Sequence, residues 1–203
     1  AGCGGLQAIH QIYDVLGRNT VFVNAAGCMT LLSVYPFTPF RGSWLYTAMA
    51  SAPSGAQGVR DALDILLEQD RMPPEEDLRV VVLTGDGSVG FNFMEFENAI
   101  RKNLPLVVVI SNDLGWGMIR HSQELRIGHA IEDGTFIGQV AYHKLVEAIG
   151  GLGFLVEKAA DIRPALEAAF ASGKTCCINV MTDPTTISPG SIALANLGGY
   201  KAT

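Results

Sequence analysis

The chain has 203 residues, of which 48% are hydrophobic and 17% are charged, so it can bury one sizeable core and fits a single domain over residues 1–203 better than two domains. The net charge is -6, and no basic stripe with interleaved aromatic residues appears, which excludes nucleic acid as an expected partner. The longest apolar runs, such as Leu104 to Ile110, are far shorter than the roughly 18–20 residues of a membrane span. No basic segment followed by an apolar stretch opens the chain, so we expect a cytoplasmic protein with no membrane partner.

Short, nearly continuous apolar runs predict strands that are buried on both faces. They are Thr20–Asn24, Arg79–Thr84, Leu106–Ser111, Gly153–Glu157 and Cys177–Thr182.

Longer segments between these runs place apolar residues at helical spacing. They are Gly5–Leu16, Ala48–Leu67, Glu95–Lys102, Tyr142–Ile149 and Arg163–Ser172. The alternation predicts an α/β fold of three layers, in which a mostly parallel sheet is covered by helices on both faces. Two stretches, Ala25–Trp44 and Asp183–Thr203, are rich in Pro and Gly and are expected to be irregular.

Polar residues follow two of the predicted strands at the point where each strand ends. Asp86 lies in "TGDGS" after the second strand, and Asn112 follows the third strand 26 residues later. Ligands of open parallel sheets bind beyond the carboxyl ends of the strands, so both residues are expected to face one pocket. Gly85 and Gly87 allow a tight turn and close backbone approach, and Ser88 is well placed to donate to phosphate oxygens.

A carboxylate, an amide oxygen and a phosphate are a suitable ligand set for Mg²⁺, which prefers oxygen ligands. The alternative is that Asp86-Gly87 is only a turn, because glycine-rich turns after strands are common. A hairpin would require an alternating strand next, but the following residues, Met94–Lys102, have the pattern of a helix.

The "GDGS" block and the later "SNDLGWGM" resemble the two-part signature of thiamine diphosphate enzymes. The resemblance implies that Asp86, the side chain of Asn112 and the main-chain carbonyl of Leu114 bind Mg²⁺. It also implies that the diphosphate lies on Gly85, Gly87 and Ser88. One departure is Ser111, where many members carry a first asparagine. From Gly85 onward the chain is similar to the carboxy-terminal domain of acetolactate-synthase-like enzymes.

The first 60 residues are similar to a different group, the β subunits of pyruvate and other 2-oxoacid:ferredoxin oxidoreductases. The segments that carry this resemblance are "AGCGG", "VNAAGCMT", "YPFTPFRGSW" and "SAPSGAQGVRDAL". It implies that Cys3 and Cys28, which are 25 residues apart, ligate a [4Fe–4S] cluster beside the thiamine ring, with a first cysteine upstream of Ala1. The alternative is that both cysteines are small apolar core residues.

The fourth cluster ligand is the weakest part of this resemblance, because the family has a cysteine where this chain has Asp183. Either Asp183 is a substitute ligand, or Cys176 and Cys177 reach the cluster, or no intact cluster exists. Cys176 and Cys177 have the simpler alternative of beginning the last strand.

The family's function implies the partners. Thiamine diphosphate supplies carbanion chemistry for the decarboxylation of a 2-oxoacid. The family's activating glutamate lies in a pyrimidine-binding domain, which we expect on a partner subunit, and no catalytic residue is expected in this chain itself. If the electrons pass to the cluster, coenzyme A and ferredoxin or another acceptor complete an oxidoreductase. If they do not, the enzyme is a carboligase or decarboxylase, and a non-catalytic regulatory or structural subunit is the third hypothesis.

The four histidines share no metal-binding spacing, so packing or surface roles are expected for them. For His121 the alternatives are contact with substrate and a solvated helix position. Trp44 and Trp116 are expected to be packing residues or interface anchors.

Overall fold

The computed structural model describes residues 4–33, 38–74, 78–194 and 196. Six strands among these residues form one sheet. They are β1 (Thr20–Ala25), β2 (Trp44–Thr47), β3 (Arg79–Gly85), β4 (Val107–Asn112), β5 (Leu152–Val156) and β6 (Cys176–Met181). The spatial order is β2-β1-β3-β4-β6-β5, and every neighbouring pair is parallel.

Helices connect the strands. They are α1 (Gly4–Leu16), α2 (Cys28–Ser33), α3 (Ala52–Glu68), α4 (Asp86–Val89), α5 (Glu95–Arg101), α6 (Gly117–Ile127), α7 (Glu132–Thr135), α8 (Tyr142–Ala148), α9 (Ile162–Ala171) and α10 (Pro189–Leu194). Short 3-10 turns occupy Met49–Ser51, Gly90–Asn92 and Ala159–Asp161. Within the described residues, no helix combines the length and the apolar character that a bilayer crossing requires.

The two faces of the sheet pack against different helices, because successive side chains of a strand point to opposite faces. Val81 and Leu83 of β3 belong to a core that also contains buried side chains of α1 and α9. Val80 and Val82 belong to a second core, with buried side chains of α3, α5 and α8. The predicted three-layer α/β fold is therefore confirmed.

The predicted strands and helices lie within a few residues of the observed ones, with one shifted helix start and several missed elements. The segment predicted as helix Ala48–Leu67 begins with the 3-10 turn, and α3 starts only at Ala52, with Pro53 in its first turn, a position that favours proline. The stretch Ala25–Trp44, predicted to be irregular, contains α2 and ends at the first residue of β2, and the stretch Asp183–Thr203 contains α10. In β2, Leu45 and Tyr46 are 40% and 51% exposed at the sheet edge, so they lack the buried apolar pattern of a central strand.

Candidate functional site

A pocket of about 340 Å³ lies at the carboxyl edge of the sheet. Because all six strands are parallel, the ends of β1, β3, β4 and β6 meet at this edge, where Gly85 pairs with Ser111 and Asn112 with Met181. The lining includes the turn after β3, the loop after β4, the start of α6 and the segment after β6. Its polar members include Asp86, Ser88, Ser111, Asp113, His121, Thr182, Asp183, Thr186 and Ser188. The expected position of a ligand site beyond the strand ends agrees with this pocket.

Asp86 begins α4 at the inner end of the pocket and is 1% exposed. Its main-chain carbonyl accepts a hydrogen bond of 3.1 Å from the Tyr142 hydroxyl, which fixes the turn to α8. The carboxylate atom Oδ2 is buried and has no hydrogen-bond partner among the described residues. Burial, and then the negative charge of Asp113, raise the pKa of Asp86 to about 8.

Asp113 is the carboxylate that lies beside Asp86, and it is the residue that the sequence reasoning missed. It lines the pocket, and burial raises its pKa. Gly117 leaves room for it, because a Cβ atom at that position would collide with Asp113 Oδ2. One buried and one half-buried carboxylate, side by side and with raised pKa values, form a site that a divalent cation would stabilise, because the cation offsets both the burial and the mutual repulsion.

The prediction that Asn112 faces the pocket with Asp86 does not match the structure. Asn112 ends β4 with no exposed surface, and its side chain is absent from the pocket lining. Its Oδ1 accepts a hydrogen bond of 3.1 Å from the Leu114 N–H, and its Nδ2 donates to Val140 O and Asn179 Oδ1. The reason is the alternation of an extended chain, in which Asn112 and Asp113 point to opposite sides. That alternation was the available signal for Asp113.

The Leu114 carbonyl, predicted as the third Mg²⁺ ligand, is also engaged elsewhere. It accepts hydrogen bonds from the N–H groups of Ile137 and Gly138, at 2.9 and 3.2 Å, which use both lone pairs of a carbonyl oxygen. Gly115, the next residue, lines the pocket instead. A Cβ atom at Gly115 would collide with the Thr135 carbonyl, so only glycine fits this close approach.

The glycine-containing turn after β3 borders the pocket. Gly85, Gly87 and Ser88 all line the pocket, as expected. A Cβ atom at Gly87 would lie 2.8 Å from the Trp116 ring, so the absence of a side chain lets this backbone and the ring approach each other. Ser88 Oγ donates to Ala26 O at 3.2 Å, which joins the turn to the end of β1. Trp116 is thus a packing residue here, and it also contacts Phe91.

The cysteines divide into two groups. Cys28, at the start of α2, lines the pocket, whereas Cys3 lies outside the described residues. Cys176 and Cys177 begin β6, are fully buried, and pair with Val107 and Val108 at the opposite edge of the sheet. They cannot reach a cluster in this pocket, so the simpler alternative of strand residues is correct for them.

Asp183 lines the pocket, but its carboxylate is already engaged. It accepts hydrogen bonds from the N–H and hydroxyl of Thr185 and from the hydroxyl of Thr186, and these bonds lower its pKa. Within the described ranges, no group of three or more His, Cys, Asp or Glu side chains is arranged to hold a metal ion.

His121 is buried at 3% exposure and lines the pocket, so the alternative of a solvated helix position is wrong. Its Nε2 lies 3.1 Å from the Pro184 carbonyl, which can only accept, so Nε2 carries the hydrogen. Its Nδ1 is buried and has no partner in the described part of the chain. The burial was not evident from sequence, because α6 has no apolar stripe.

The residues of the pocket fit the cofactor that the sequence resemblance implies. The unpartnered Asp86 oxygen and the adjacent Asp113 suit a divalent cation, and the glycine turn suits a diphosphate bound to that cation.

Comparisons with known proteins find thiamine pyrophosphate enzymes among the relatives of this chain. The family model described as "Thiamine pyrophosphate enzyme, C-terminal TPP binding domain" matches residues 25–180. Acetolactate synthase large subunit IlvG of Mycobacterium tuberculosis is 42% identical over 117 residues, which are 58% of this chain and 21% of that protein. Pyruvate synthase subunit PorB of Methanocaldococcus jannaschii is 26% identical over 112 residues, which are 54% of this chain and 38% of that protein.

A third relative is similar over nearly the whole chain. The 2-hydroxyacyl-CoA lyase 2 of Danio rerio is 25% identical over 194 residues, which are 93% of this chain and 30% of that protein. Thus the chain spans between about a fifth and two fifths of the length of these relatives.

The fold is shared with solved structures. The thiamine diphosphate-dependent 4-hydroxybenzoylformate decarboxylase of Rhodococcus jostii RHA1 superposes with a TM-score of 0.65 and 22% identity, over 90% of this chain and 33% of that one. The matched family model covers well over half of the sequence, and the chain therefore belongs to the thiamine pyrophosphate enzymes as their C-terminal TPP-binding domain.

Proposed function

We propose that this chain is a single domain that supplies the diphosphate- and Mg²⁺-binding half of a thiamine diphosphate enzyme acting on a 2-oxoacid. The observation that carries the proposal is the pair of neighbouring carboxylates at the carboxyl edge of the sheet, the buried Asp86 and the half-buried Asp113. When bound, the cofactor supplies the carbanion chemistry that cleaves or forms the carbon–carbon bond beside a carbonyl.

In this proposal Asp86, Asp113 and the main-chain carbonyl of Gly115 hold Mg²⁺. They take the roles that the sequence resemblance implied for Asp86, Asn112 and Leu114. The turn of Gly85, Gly87 and Ser88 holds the diphosphate through its backbone N–H groups. Water and diphosphate oxygens complete the roughly six oxygen ligands that Mg²⁺ requires.

The cofactor site is tested by Asp86→Ala. The loss of a direct ligand should weaken Mg²⁺-dependent binding of thiamine diphosphate at least tenfold, or about 1.4 kcal/mol, in a calorimetric titration of the purified protein with its partner chains. Asp14→Ala, which removes an exposed carboxylate from α1, is the matched control and should leave the affinity unchanged. Equal affinities in the two variants would remove Asp86 from the site.

The activating glutamate and the pyrimidine-binding domain belong to a partner subunit in this proposal. Support comes from apolar side chains at the rim of the pocket, where Tyr46, Met49 and Ile119 line it and are each more than 40% exposed. Exposed apolar surface beside a binding pocket favours a protein interface.

Two more specific functions are compatible with this site, and a different observation supports each. The first is the β subunit of a 2-oxoacid:ferredoxin oxidoreductase, which passes electrons to a [4Fe–4S] cluster and then to ferredoxin or another acceptor, with coenzyme A receiving the acyl group. Its support is Cys28 in the pocket and the similarity to a pyruvate synthase subunit. The second is a subunit of a non-oxidative carboligase or decarboxylase, which is supported by the 42% identity to an acetolactate synthase.

Iron content separates the two functions. In the oxidative enzyme, protein purified anaerobically with its partners should contain about four iron atoms on this chain and show a broad visible absorbance. That absorbance should bleach when a 2-oxoacid and coenzyme A are added. Cys28→Ala should lose the iron, and Cys177→Ala, at the opposite edge of the sheet, should keep it. A protein without iron on this chain that still decarboxylates or condenses the 2-oxoacid is the non-oxidative enzyme.

A further inference from the structure

Three buried polar side chains form a continuous chain from α8 to the loop that carries Asp113. Asn112 Nδ2 donates to Asn179 Oδ1 of β6 at 3.2 Å, and Asn179 Nδ2 lies 3.4 Å from His143 Nδ1 on α8. The side chains of Asn112, Asn179 and His143 are 0%, 1% and 8% exposed. None of the three lines the pocket, so none of them contacts a ligand there.

The hydrogen bonds fix the orientation of each member of this polar chain. Because Asn179 Oδ1 accepts from Asn112, the Asn179 amide nitrogen faces His143 and donates to it. His143 Nδ1 must then be the acceptor, in a neutral ring, and burial lowers the pKa of His143 in agreement with that state. Both amide hydrogens of Asn112 are used, by Asn179 and by the Val140 carbonyl, so its Oδ1 is directed at the Leu114 N–H.

The Leu114 backbone is the part of the loop that needs such support. Its φ is +66°, in the left-handed region, which costs a non-glycine residue about 1–2 kcal/mol. This conformation lets Asp113 and Gly115 line the same pocket with Leu114 between them, bonded away from it. A strained residue of this kind persists only where its surroundings fix it.

We propose that Asn112, Asn179 and His143 are positioning residues that hold the Asp113 side chain and the Gly115 carbonyl in the geometry for binding the divalent cation. The inference rests on the proposed cofactor site and assigns its geometry to a row of hydrogen-bonded side chains that extends from the loop after β4 to α8. A purely structural role for the same residues would lower stability and leave the affinity for the cation unchanged.

The test is Asn179→Leu, which removes the middle link and keeps the number and branching of the side-chain heavy atoms. Mn²⁺ is titrated into the protein, purified with its partner chains, in the presence of thiamine diphosphate, and free Mn²⁺ is followed by electron paramagnetic resonance. The affinity for Mn²⁺ should fall at least tenfold. Hydrogen exchange at the Leu114 amide, measured without metal or cofactor, should become faster because Asn112 Oδ1 is no longer held.

Thr175→Val is the matched control. Thr175 is 3% exposed immediately before β6 and donates to Leu104 O at 2.7 Å, so its loss also removes a buried hydrogen bond, but at the opposite edge of the sheet. This variant should lose stability and keep its Mn²⁺ affinity within twofold. Asn179→Asp retains an oxygen that accepts from Asn112 and should restore most of the affinity lost in Asn179→Leu.

If Asn179→Leu does not fold, His143→Phe removes only the outer link and should weaken Mn²⁺ binding about threefold. Affinity equal to that of the unmodified protein in the folded variant, while Asp86→Ala binds weakly, overturns the positioning role and leaves the cofactor site intact. Unchanged affinity in Asp86→Ala as well overturns the cofactor site and this inference together.

Discussion

The absence of a Cβ atom at Gly87 decides how closely the diphosphate turn can approach Trp116. Gly87→Ala would place a methyl group 2.8 Å from the Trp116 ring, which itself contacts Phe91. We expect the variant to be less stable by about 1–3 kcal/mol and to bind thiamine diphosphate at least fivefold more weakly, because the turn must shift to relieve the contact. Urea unfolding and cofactor titration measure the two effects.

Gly58→Ala is the control for this substitution, since a methyl group there meets nothing within 4 Å on the exposed side of α3. It should stabilise the protein by about 1 kcal/mol and leave cofactor affinity unchanged. A Gly87→Ala variant that behaves like Gly58→Ala would show that the turn has room for a side chain.

At His121 a single ring nitrogen, Nδ1, decides the expected effect of a substitution. Its Nδ1 is buried without a partner in the described part of the chain, and a water that bridges it to an oxygen of a 2-oxoacid is the kind of group that would satisfy it. His121→Phe should raise the KM for a 2-oxoacid about tenfold and leave the affinity for Mg²⁺ and thiamine diphosphate within twofold. His129→Phe, at an exposed position two residues after the end of α6, should change neither quantity. An unchanged KM in His121→Phe would leave the ring with a packing role alone.

At the scale of elements, α3 and α5 are joined by a clasp of hydrogen bonds around the buried side chain of Gln57. Gln57 Nε2 donates to the carbonyl and the carboxylate of Glu95, at 3.1 and 2.8 Å, and Gln57 Oε1 accepts from Asn98 at 2.8 Å. Gln57→Leu should cost about 1–3 kcal/mol of stability, because it leaves buried polar groups without partners.

The same two helices offer a control, the exposed ion pair between Lys102 and Asp61 at 3.6 Å. Asp61→Ala should change the free energy of unfolding by less than about 1 kcal/mol, since solvent screens the pair. Denaturant unfolding of both variants compares the clasp with the surface pair, and equal losses would contradict the difference expected from burial.

The elements also show which features a sequence can predict. β3 and β4 are apolar on both faces, so they were predicted from their pattern, and their parallel pairing follows from the helices between them. In contrast, α6 buries only Gly117 and His121, so it has no apolar stripe to detect. The sequence predicted that Asn112 faces the pocket, and the structure has Asp113 there. The two residues are adjacent and both polar, so only the exact end of β4 decides which of them faces the pocket.

For the whole molecule, the pocket opens among exposed apolar side chains that a partner would cover. The proposal of an obligate assembly predicts that the native protein is larger than this chain alone, with the cofactor at an interface between chains. Light scattering of the native protein measures its mass. A monomer of this chain that is stable and turns over a 2-oxoacid would contradict the assembly. The sequence could not identify the partner, because recognition depends on surface shape that two chains create together.

The claim that Asp86 and Asp113 together hold the cation is tested most directly by anomalous diffraction from crystals of the protein grown with Mn²⁺ and thiamine diphosphate. We predict one anomalous peak at about 2.1–2.3 Å from a carboxylate oxygen of Asp86, a carboxylate oxygen of Asp113 and the Gly115 carbonyl, next to the diphosphate. A peak bound by Asn112 and the Leu114 carbonyl, or a bound cofactor whose cation does not touch Asp113, would contradict the account.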